Sequence, residues 1–550
     1  MKVIIVGGVA GGANVATRLR RLSEDAEITI FERGEHVSFA NCGLPYHIGG
    51  EIEDRESLLV QTPERLWSRS RIKVCTRHEV IAIDRANKVV TVRDLNHQKD
   101  LTVSYDHLVL STGAAPLRPS LPGIDTPGIF TLRDIGDMDQ IIGWIEHHRV
   151  SSAVIVGGGF IGLEVAEQLH RKEITVTVIE SNDQLLVPLD REMARPLKKE
   201  LERHGVQVVL SDPVTGFSHS PEGKIEVETR SGELFTSDMV LLSIGVRPDS
   251  VLAREAGLEV GERGAVVVNQ YLQTSDPAIW ALGDCIQFAH RVTGISGIVP
   301  LAGPANRAGR LVADNIIGIQ KRPYRGPLGT AIIRVFSKTA ACTGANEKTL
   351  SALGKNYQAL YLHPKSHAGY YPGAEQLSLK LLFDPNSGEI FGAQAVGGDG
   401  VDKRIDVLAT AIAGGLTVED LISVDLCYAP PFGSAKDPVN LAGMAASNIR
   451  EGLVRSMTWR QVQELKEPYL IIDVRESGER ERGAIPDSLS IPLGELRERL
   501  DKLPHDRLLI ASCQTGQRSY NACRILSENG FRAANLTGAY QSWLMTVEGS

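Results

Sequence analysis

Cys42 stands in the stretch 38–46, "SFANCGLPY", with no second cysteine close enough in sequence to pair with it, and Cys513 opens a six-residue loop, "CQTGQR", that closes on Arg518. A lone thiol has three useful oxidised forms: a sulfenic acid, a mixed disulfide with a small thiol, or a persulfide. It attacks sulfur only as a thiolate. At an ordinary pKa near 8.5 only a few per cent is ionised at pH 7, so a depression of roughly two units is expected, with a flanking helix dipole as one source. At Cys513 the apolar run "LLIASC" leads into the loop and "SYNACRIL" follows as a helix. Backbone N–H groups curled round the sulfur form an anion nest that favours a thiolate or a persulfide, with Arg518 as the charge partner. The loop is one residue shorter than the cradle of cysteine phosphatases, which selects sulfur over phosphate. Cys523, on the helix behind, is expected to pack in a core.

Two loops with phosphate-binding patterns stand earlier in the chain. "KVIIVGGVAGGANVATRLRRL" reads as strand, tight turn and helix, and "EITIFER" as a second strand ending in Glu32. A pyrophosphate sits at the helix N-terminus of such a unit, and the acidic residue meets a ribose hydroxyl. Gly7 and Gly12 fit the G-x-G-x-x-G spacing, but Val9 replaces the middle glycine. The second loop, "AVIVGGGFIGLEVAEQL", has the full pattern at Gly157, Gly159 and Gly162, and its second strand ends at Glu180. Glu180 accepts from ribose hydroxyls and repels a 2′-phosphate, which favours NADH, with NADPH as the second choice. The segments 105–116 and 237–248 are near-repeats, each an apolar strand running into a Gly turn and a Pro, expected to close the two dinucleotide domains. Asp284 follows a further strand in "TSDPAIWALGDC".

At 550 residues the chain exceeds what one core fills, and several domains are expected. Hydrophobic residues at 42%, charged residues at 23% and 54 glycines suit α/β modules with many tight turns. A net charge of −8, with no long Lys/Arg block, gives no footprint for nucleic acid. The apolar N-terminus lacks a charged leader and a cleavage site and reads as a buried strand, and nothing approaches a membrane span. Seven irregularly spaced cysteines, without a CxxC pair, fit a reducing cytoplasm and no metal site.

The first 450 or so residues resemble the two-dinucleotide-domain flavoprotein disulfide reductases. That resemblance implies FAD on Gly7, Gly12, Glu32, Arg33 and Asp284, and the nicotinamide nucleotide on Gly157, Gly159, Gly162 and Glu180. Most such enzymes use two cysteines four residues apart, and here there is one. "SFANCGLPY" resembles the active-site segment of coenzyme A-disulfide reductases and their persulfide-reductase relatives, whose lone cysteine stands over the flavin and forms a mixed disulfide with coenzyme A. The resemblance assigns Asn14, Arg18, Arg21, Ser38, Asn41 and Lys436 to a coenzyme A site. It brings Tyr371 of "YYPGAE" and Tyr428 of "LCYAPPFGSAKD" from the partner subunit of a homodimer to act beside the sulfur.

Beyond residue 455 the chain resembles the rhodanese domain, through Asp473-Val474-Arg475, "GAIPDSLSIP" and "CQTGQRS". The expected architecture is α/β: an FAD-binding domain of residues 1–115 and 250–322, an NADH-binding domain of 116–249, an α+β dimerisation domain of 323–452, and a rhodanese domain of 455–550. The implied activity is FAD- and NADH-dependent reduction of coenzyme A persulfide or polysulfide, and of coenzyme A disulfide. A peroxidase or oxidase working through a Cys42 sulfenic acid, and a sulfurtransferase served by the reductase, are the alternatives.

Overall fold

The computed structural model describes residues 1–318 and 321–547, so residues 548–550 of the expected rhodanese domain and 319–320 of the FAD-binding segment lie outside the described residues. The chain forms two compact units, Met1–Asp183 with Gly205–Gly329, and Gln184–His204 with Thr330–Ser550.

The first unit holds two parallel five-stranded sheets. One has the order Ile279–Ala281, His107–Leu110, Lys2–Val6, Glu27–Glu32, Lys73–Thr76. The other runs Gln207–Val209, Thr175–Ile179, Ser152–Val156, Met239–Leu242, Ile129–Phe130. Central strands such as Val3, Ile4 and Ile5 are apolar without alternation because both faces are covered. The helix Ala10–Leu22 and the helix Ala302–Ile317 supply Val15, Leu19 and Val312 to the first core, and the antiparallel sheet over 78–104 supplies Val80, Val90 and Val92. A matching antiparallel sheet over 214–237 covers the second. The two near-repeats occupy equivalent places, one strand in from an edge, where Ile279–Ala281 and Ile129–Phe130 complete the sheets. Their tails, Ala114–Pro116 and Val246–Pro248, pair with each other.

The second unit contains an antiparallel sheet of order Ala331–Val335, Lys338–Gly344, Ile390–Gly397, Ser378–Phe383, Gln358–Leu362, backed by the helices Val401–Gly414 and Pro438–Arg450. A parallel five-stranded sheet follows, Ser456–Met457, Ala533–Leu536, Leu508–Ser512, Tyr469–Asp473, Leu489–Ser490. It docks on the antiparallel sheet through side chains buried on both sides. The Tyr361 N–H donates to Thr537 Oγ1 at 2.9 Å, and His363 bridges Ser378 Oγ at 2.9 Å and Ser542 Oγ at 2.8 Å.

The helix Arg191–Arg203 departs from expectation. It falls within 116–249, yet it packs in the second unit, where Arg195 donates to the Met545 carbonyl at 2.6 Å and Glu200 accepts from Ser337. Asp190 and Glu192 at its start, with Glu347, surround the fully buried Lys380 ammonium at 2.6, 2.5 and 3.3 Å. A buried cation is tolerable when its charge and its donors are all met in this way.

Candidate functional site

Each parallel sheet of the first unit ends in a glycine loop whose first and last glycines leave no room for a side chain. Gly7 has φ +92°, and a Cβ there would lie 2.3 Å from the Ser111 carbonyl oxygen; a Cβ at Gly12 would lie 1.9 Å from that of Gly7. Gly157, at φ +108°, and Gly162 repeat both constraints against Ser243 and Gly157. Gly159 differs: nothing lies within 4 Å of where its Cβ would be, so the space is open to a phosphate rather than filled by protein. Neither following helix has an acidic residue in its first turn to oppose an anion.

Glu32 and Glu180 hold these loops in the same way. Gly8 N–H donates to Glu32 Oε2 at 2.8 Å and Gly34 N–H to Oε1 at 2.8 Å. Gly158 N–H donates to Glu180 Oε2 at 2.7 Å, and Oε1 takes the backbone N–H and side-chain amide of Asn182 at 2.8 and 2.7 Å. Each carboxylate keeps lone pairs for a ribose hydroxyl. Arg33 is exposed and paired with Asp249 at 2.7 Å. Asp284 lies on the turn Gly283–Cys285 and makes no hydrogen bond among the described residues. Burial pushes its pKa up to about 6, and only Arg133 opposes that. The glycine cradle, the unopposed helix end, Glu32 and an unpartnered acid at Asp284 fit FAD; the second loop, with Glu180, fits NADH.

Cys42 lies on the turn Asn41–Gly43, which runs into the short helix Leu44–Ile48. Its loop hangs from the first glycine loop, because Ser38, at φ +49°, donates its N–H to the Gly8 carbonyl at 2.9 Å. The other end of the segment packs on the second domain's helix Phe160–Arg171: Tyr46 OH donates to Glu164 at 3.2 Å, and Gln168 donates to Glu51 at 3.0 Å. The sulfur therefore stands between the two nucleotide frames. The expected depression of its pKa by the protein is not found. Although Cys42 is exposed as a residue, burial around the thiol pushes the pKa up, and the Glu164 and Asp284 carboxylates add to this. The adjoining helix is five residues long and begins after the cysteine, too short and too late to offset them.

Of the residues assigned to coenzyme A, Asn14 donates to Asn306 at 3.2 Å and Arg18 Nε to Asp314 at 2.7 Å, both on the helix Ala302–Ile317. Arg21 is exposed and folds back to the Thr17 carbonyl, so the two arginines do not act as one fork. Ser38 and Asn41 flank the thiol. In the second unit Tyr371, Tyr428 and Lys436 are exposed. Tyr428 OH meets Tyr370 OH at 3.3 Å, while the Tyr371 ring lies edge-on to His367. With Phe432 they make an exposed aromatic patch.

Cys513 is buried at the end of the strand Leu508–Ser512. Its Sγ accepts from Gly516 N–H at 3.1 Å and from Ser519 Oγ at 3.4 Å, with Gly516 at φ +108° heading the helix Gln517–Glu528. The nest is present, but Arg518 turns elsewhere: both terminal nitrogens go to Glu479, at 2.7 and 2.6 Å. Cys523 is in the core, and burial pushes its thiol up to about 12.

Three functional residues were not found from sequence. Arg133 reaches the Thr112 carbonyl at 3.3 Å beside the first loop, and Glu164 faces the thiol. Arg133 precedes Asp134, the cap of the helix Ile135–His148, and no motif in the sequence marks it. Glu479 is the third, discussed below.

Two glycine loops on parallel sheets, a single cysteine between them and a second, nested cysteine define a pyridine-nucleotide flavoprotein with a fused sulfur-handling domain. The pattern described as pyridine nucleotide-disulphide oxidoreductase matches residues 1–309, its dimerisation domain 330–438, and the rhodanese-like domain 458–546. The chain belongs to the pyridine nucleotide-disulphide oxidoreductase family. It is a flavin-dependent oxidoreductase acting on sulfur, with FAD and NADH as cofactors. It is 37% identical over 448 residues to a coenzyme A disulfide reductase of Staphylococcus haemolyticus (strain JCSC1435), covering 82% of this chain and 100% of that one. It is similar along nearly its whole length to two solved structures. Reduced Bacillus anthracis CoADR-RHD has 45% identity and a TM-score of 0.96, covering 99% of this chain and 98% of that one. An NAD-dependent persulfide reductase from A. fulgidus has 38% identity and a TM-score of 0.92, covering 99% and 100%.

Proposed function

We propose that this protein uses NADH to reduce coenzyme A persulfide or polysulfide, releasing hydrosulfide, and also reduces coenzyme A disulfide. The observation that carries this is the isolation of Cys42. Two other cysteines belong to the FAD frame: Cys285 is buried, points its S–H at the Leu282 carbonyl at 3.2 Å, and has its thiol pushed up to about 11 by burial, while Cys75 lies on the strand Lys73–Thr76, where burial also pushes its thiol up. Cys42, Cys75 and Cys285 are all unpaired, which supports a sulfur partner that comes from outside.

FAD, when bound, would supply the two-electron link between NADH and sulfur. Gly7, Gly12 and the head of the helix Ala10–Leu22 would hold its pyrophosphate, and Asp284 would accept from a hydroxyl of its chain. Cys42 is the nucleophile. Attack on the outer sulfur of a coenzyme A persulfide expels the coenzyme A thiolate and leaves a cysteine persulfide; attack on the inner sulfur expels hydrosulfide and leaves a mixed disulfide. Asn14, Arg18, Arg21, Ser38, Asn41 and Lys436 hold coenzyme A. Tyr371 and Tyr428 serve a second subunit of a homodimer, a reading supported by the dimerisation-domain match and the exposed aromatic patch. A tyrosine OH beside the leaving thiolate donates a proton or hydrogen bond. The rhodanese Cys513 carries sulfane sulfur to this chemistry. Seven free cysteines support a cytoplasmic location, and no helix among the described residues is long and apolar enough to cross a membrane.

The assignment of Cys42 is tested by denaturing air-oxidised enzyme that has been equilibrated with coenzyme A disulfide and then desalted. One coenzyme A released per Cys42 on reduction, and none from Cys42→Ser, is expected. Peptide mass showing only a sulfenic acid at Cys42 would instead make the enzyme a peroxide reductase.

A further inference from the structure

We infer that Glu479 sets the donor selectivity of Cys513, by neutralising Arg518 and so directing the site to thiol persulfides and away from dianionic donors such as thiosulfate. This rests on the reading of the C-terminal domain as a sulfur carrier and says which donors load it.

Three guanidiniums belong to the surroundings of the Cys513 loop, and each is already engaged. Arg475 is buried, grips Asp473 with Nε and Nη2 at 2.8–3.1 Å, donates to Gln514 at 3.1 Å and to the Gly483 carbonyl at 2.9 Å, and lies over the Tyr540 ring at 4.1 Å. Arg480 donates to Asp473 at 2.8 Å and to Ser488. Arg518, the third and most accessible, is forked onto Glu479. The carboxylate is fixed in turn: Glu479 accepts from the Glu476 N–H at 3.1 Å within a reciprocal cap of the short helix Ser477–Arg480. Hydrogen bonds from Arg518 hold its pKa down at about 2, so it stays ionised at every pH the enzyme meets. Arg518 stays within electrostatic reach of Cys513, and Glu476 also faces it. Three cations against Asp473, Glu476 and Glu479 leave the surroundings without net positive charge. The hydrogen-bond donors left for a sulfur anion are neutral: the Gly516 N–H, and the Ser519 O–H, whose single proton is shared with the Gly516 carbonyl at 3.0 Å.

The two donor classes make different demands. Transfer from thiosulfate breaks its S–S bond; the Cys513 thiolate bonds the outer sulfur and sulfite leaves with the electron pair. Three negative charges then share the site. Transfer from a thiol persulfide breaks the same kind of bond and expels a thiolate, with at most two charges present and one when the persulfide is protonated. A neutral donor pair suits the second case. The first needs a free guanidinium, because charge-assisted hydrogen bonds are roughly twice as strong as neutral ones.

The test is loading of Cys513, followed by peptide mass for one added sulfur, in full-length Cys42→Ser so that reductase turnover plays no part. Glutathione persulfide and thiosulfate are compared at equal concentration. Persulfide is expected to load at least about a hundredfold faster, and Glu479→Gln to narrow that ratio by about tenfold through faster thiosulfate loading, as expected for unmasking one partly buried charge. Glu479→Asp, which keeps the charge, is expected to restore the wild-type ratio, and a structural role alone would not separate the two variants. Equal loading of the parent protein by both donors would overturn the proposal whether or not Glu479→Gln folds; so would a ratio unmoved by that substitution. If neither donor loads Cys513, the carrier reading fails with it, whereas loading by persulfide with no selectivity contradicts only the role of Glu479.

Discussion

The Ser38 N–H donates to the Gly8 carbonyl at 2.9 Å, and this bond ties the reactive cysteine to the cofactor cradle. The residue after Gly7 gives its N–H to Glu32 and its carbonyl to the cysteine loop, so one residue of the phosphate loop sets the registry of both. With Tyr46 and Gln168 fixing the far end on the second domain, Cys42 is located by backbone and helix packing rather than by a long flexible side chain.

Removal of the nucleophile follows first. Cys42→Ser is expected to lower NADH-driven reduction of coenzyme A persulfide and disulfide by at least roughly a thousandfold, with FAD content unchanged, as read by flavin absorbance and steady-state turnover.

Thiol ionisation provides a second check. Glu164 and Asp284 both push the Cys42 thiol up, so deleting one charge favours the thiolate and shifts its titration downward. In the holoenzyme, Glu164→Gln is expected to move the midpoint of the pH dependence of Cys42 alkylation downward. An upward shift would show that Glu164 acts through structure and not through charge.

Asp284 has a cost in stability. Its folded pKa of about 6 lies above the ordinary carboxylate range, so the folded state holds the proton more tightly and stability falls as pH rises from about 4 to 6. After the cofactor is removed, Asp284→Asn is expected to raise stability at pH 7.5 by about 1–2 kcal/mol, and to weaken FAD binding about tenfold, or 1.4 kcal/mol. Thermal unfolding with and without FAD reads both.

His363 makes the docking of the rhodanese domain acid-sensitive. Burial holds its pKa at about 3, so it is neutral when docked, and the contribution is full above about 6.5 and lost as pH falls toward 3. Between pH 7 and 5 the loss is about 2 kcal/mol. His363→Gln is expected to be less stable at pH 7 but to lose less on acidification, measured by thermal melts at the two pH values.

Both glycine loops, the loops that carry Cys42 and Cys513 and the rhodanese segment were legible because each is a local pattern: strand, turn and helix within about twenty residues. What escaped are contacts that sequence distance hides. Glu479 lies 39 residues before Arg518, and nothing in "CQTGQR" says that its arginine is taken. Burial, with Glu164 and Asp284 from separate elements, raises a thiol whose role as a nucleophile led to the expectation of a lowered pKa. The amphipathic stripe of Met193, Ala194, Leu197 and Leu201 marks a helix, but a stripe does not name its partner, and this one packs outside the dinucleotide domain from which it springs.

The central claim is that an external sulfur–sulfur bond, presented by coenzyme A, is the substrate of Cys42. Anaerobic NADH oxidation with hydrosulfide detection tests it most directly, comparing coenzyme A persulfide with coenzyme A disulfide in the parent enzyme and in Cys513→Ser. Turnover of both is expected, with one hydrosulfide per NADH from the persulfide; sulfur supplied through the rhodanese domain is lost in the variant, while coenzyme A disulfide reduction is kept. NADH oxidation that needs peroxide or oxygen and yields no hydrosulfide or coenzyme A thiol would contradict it.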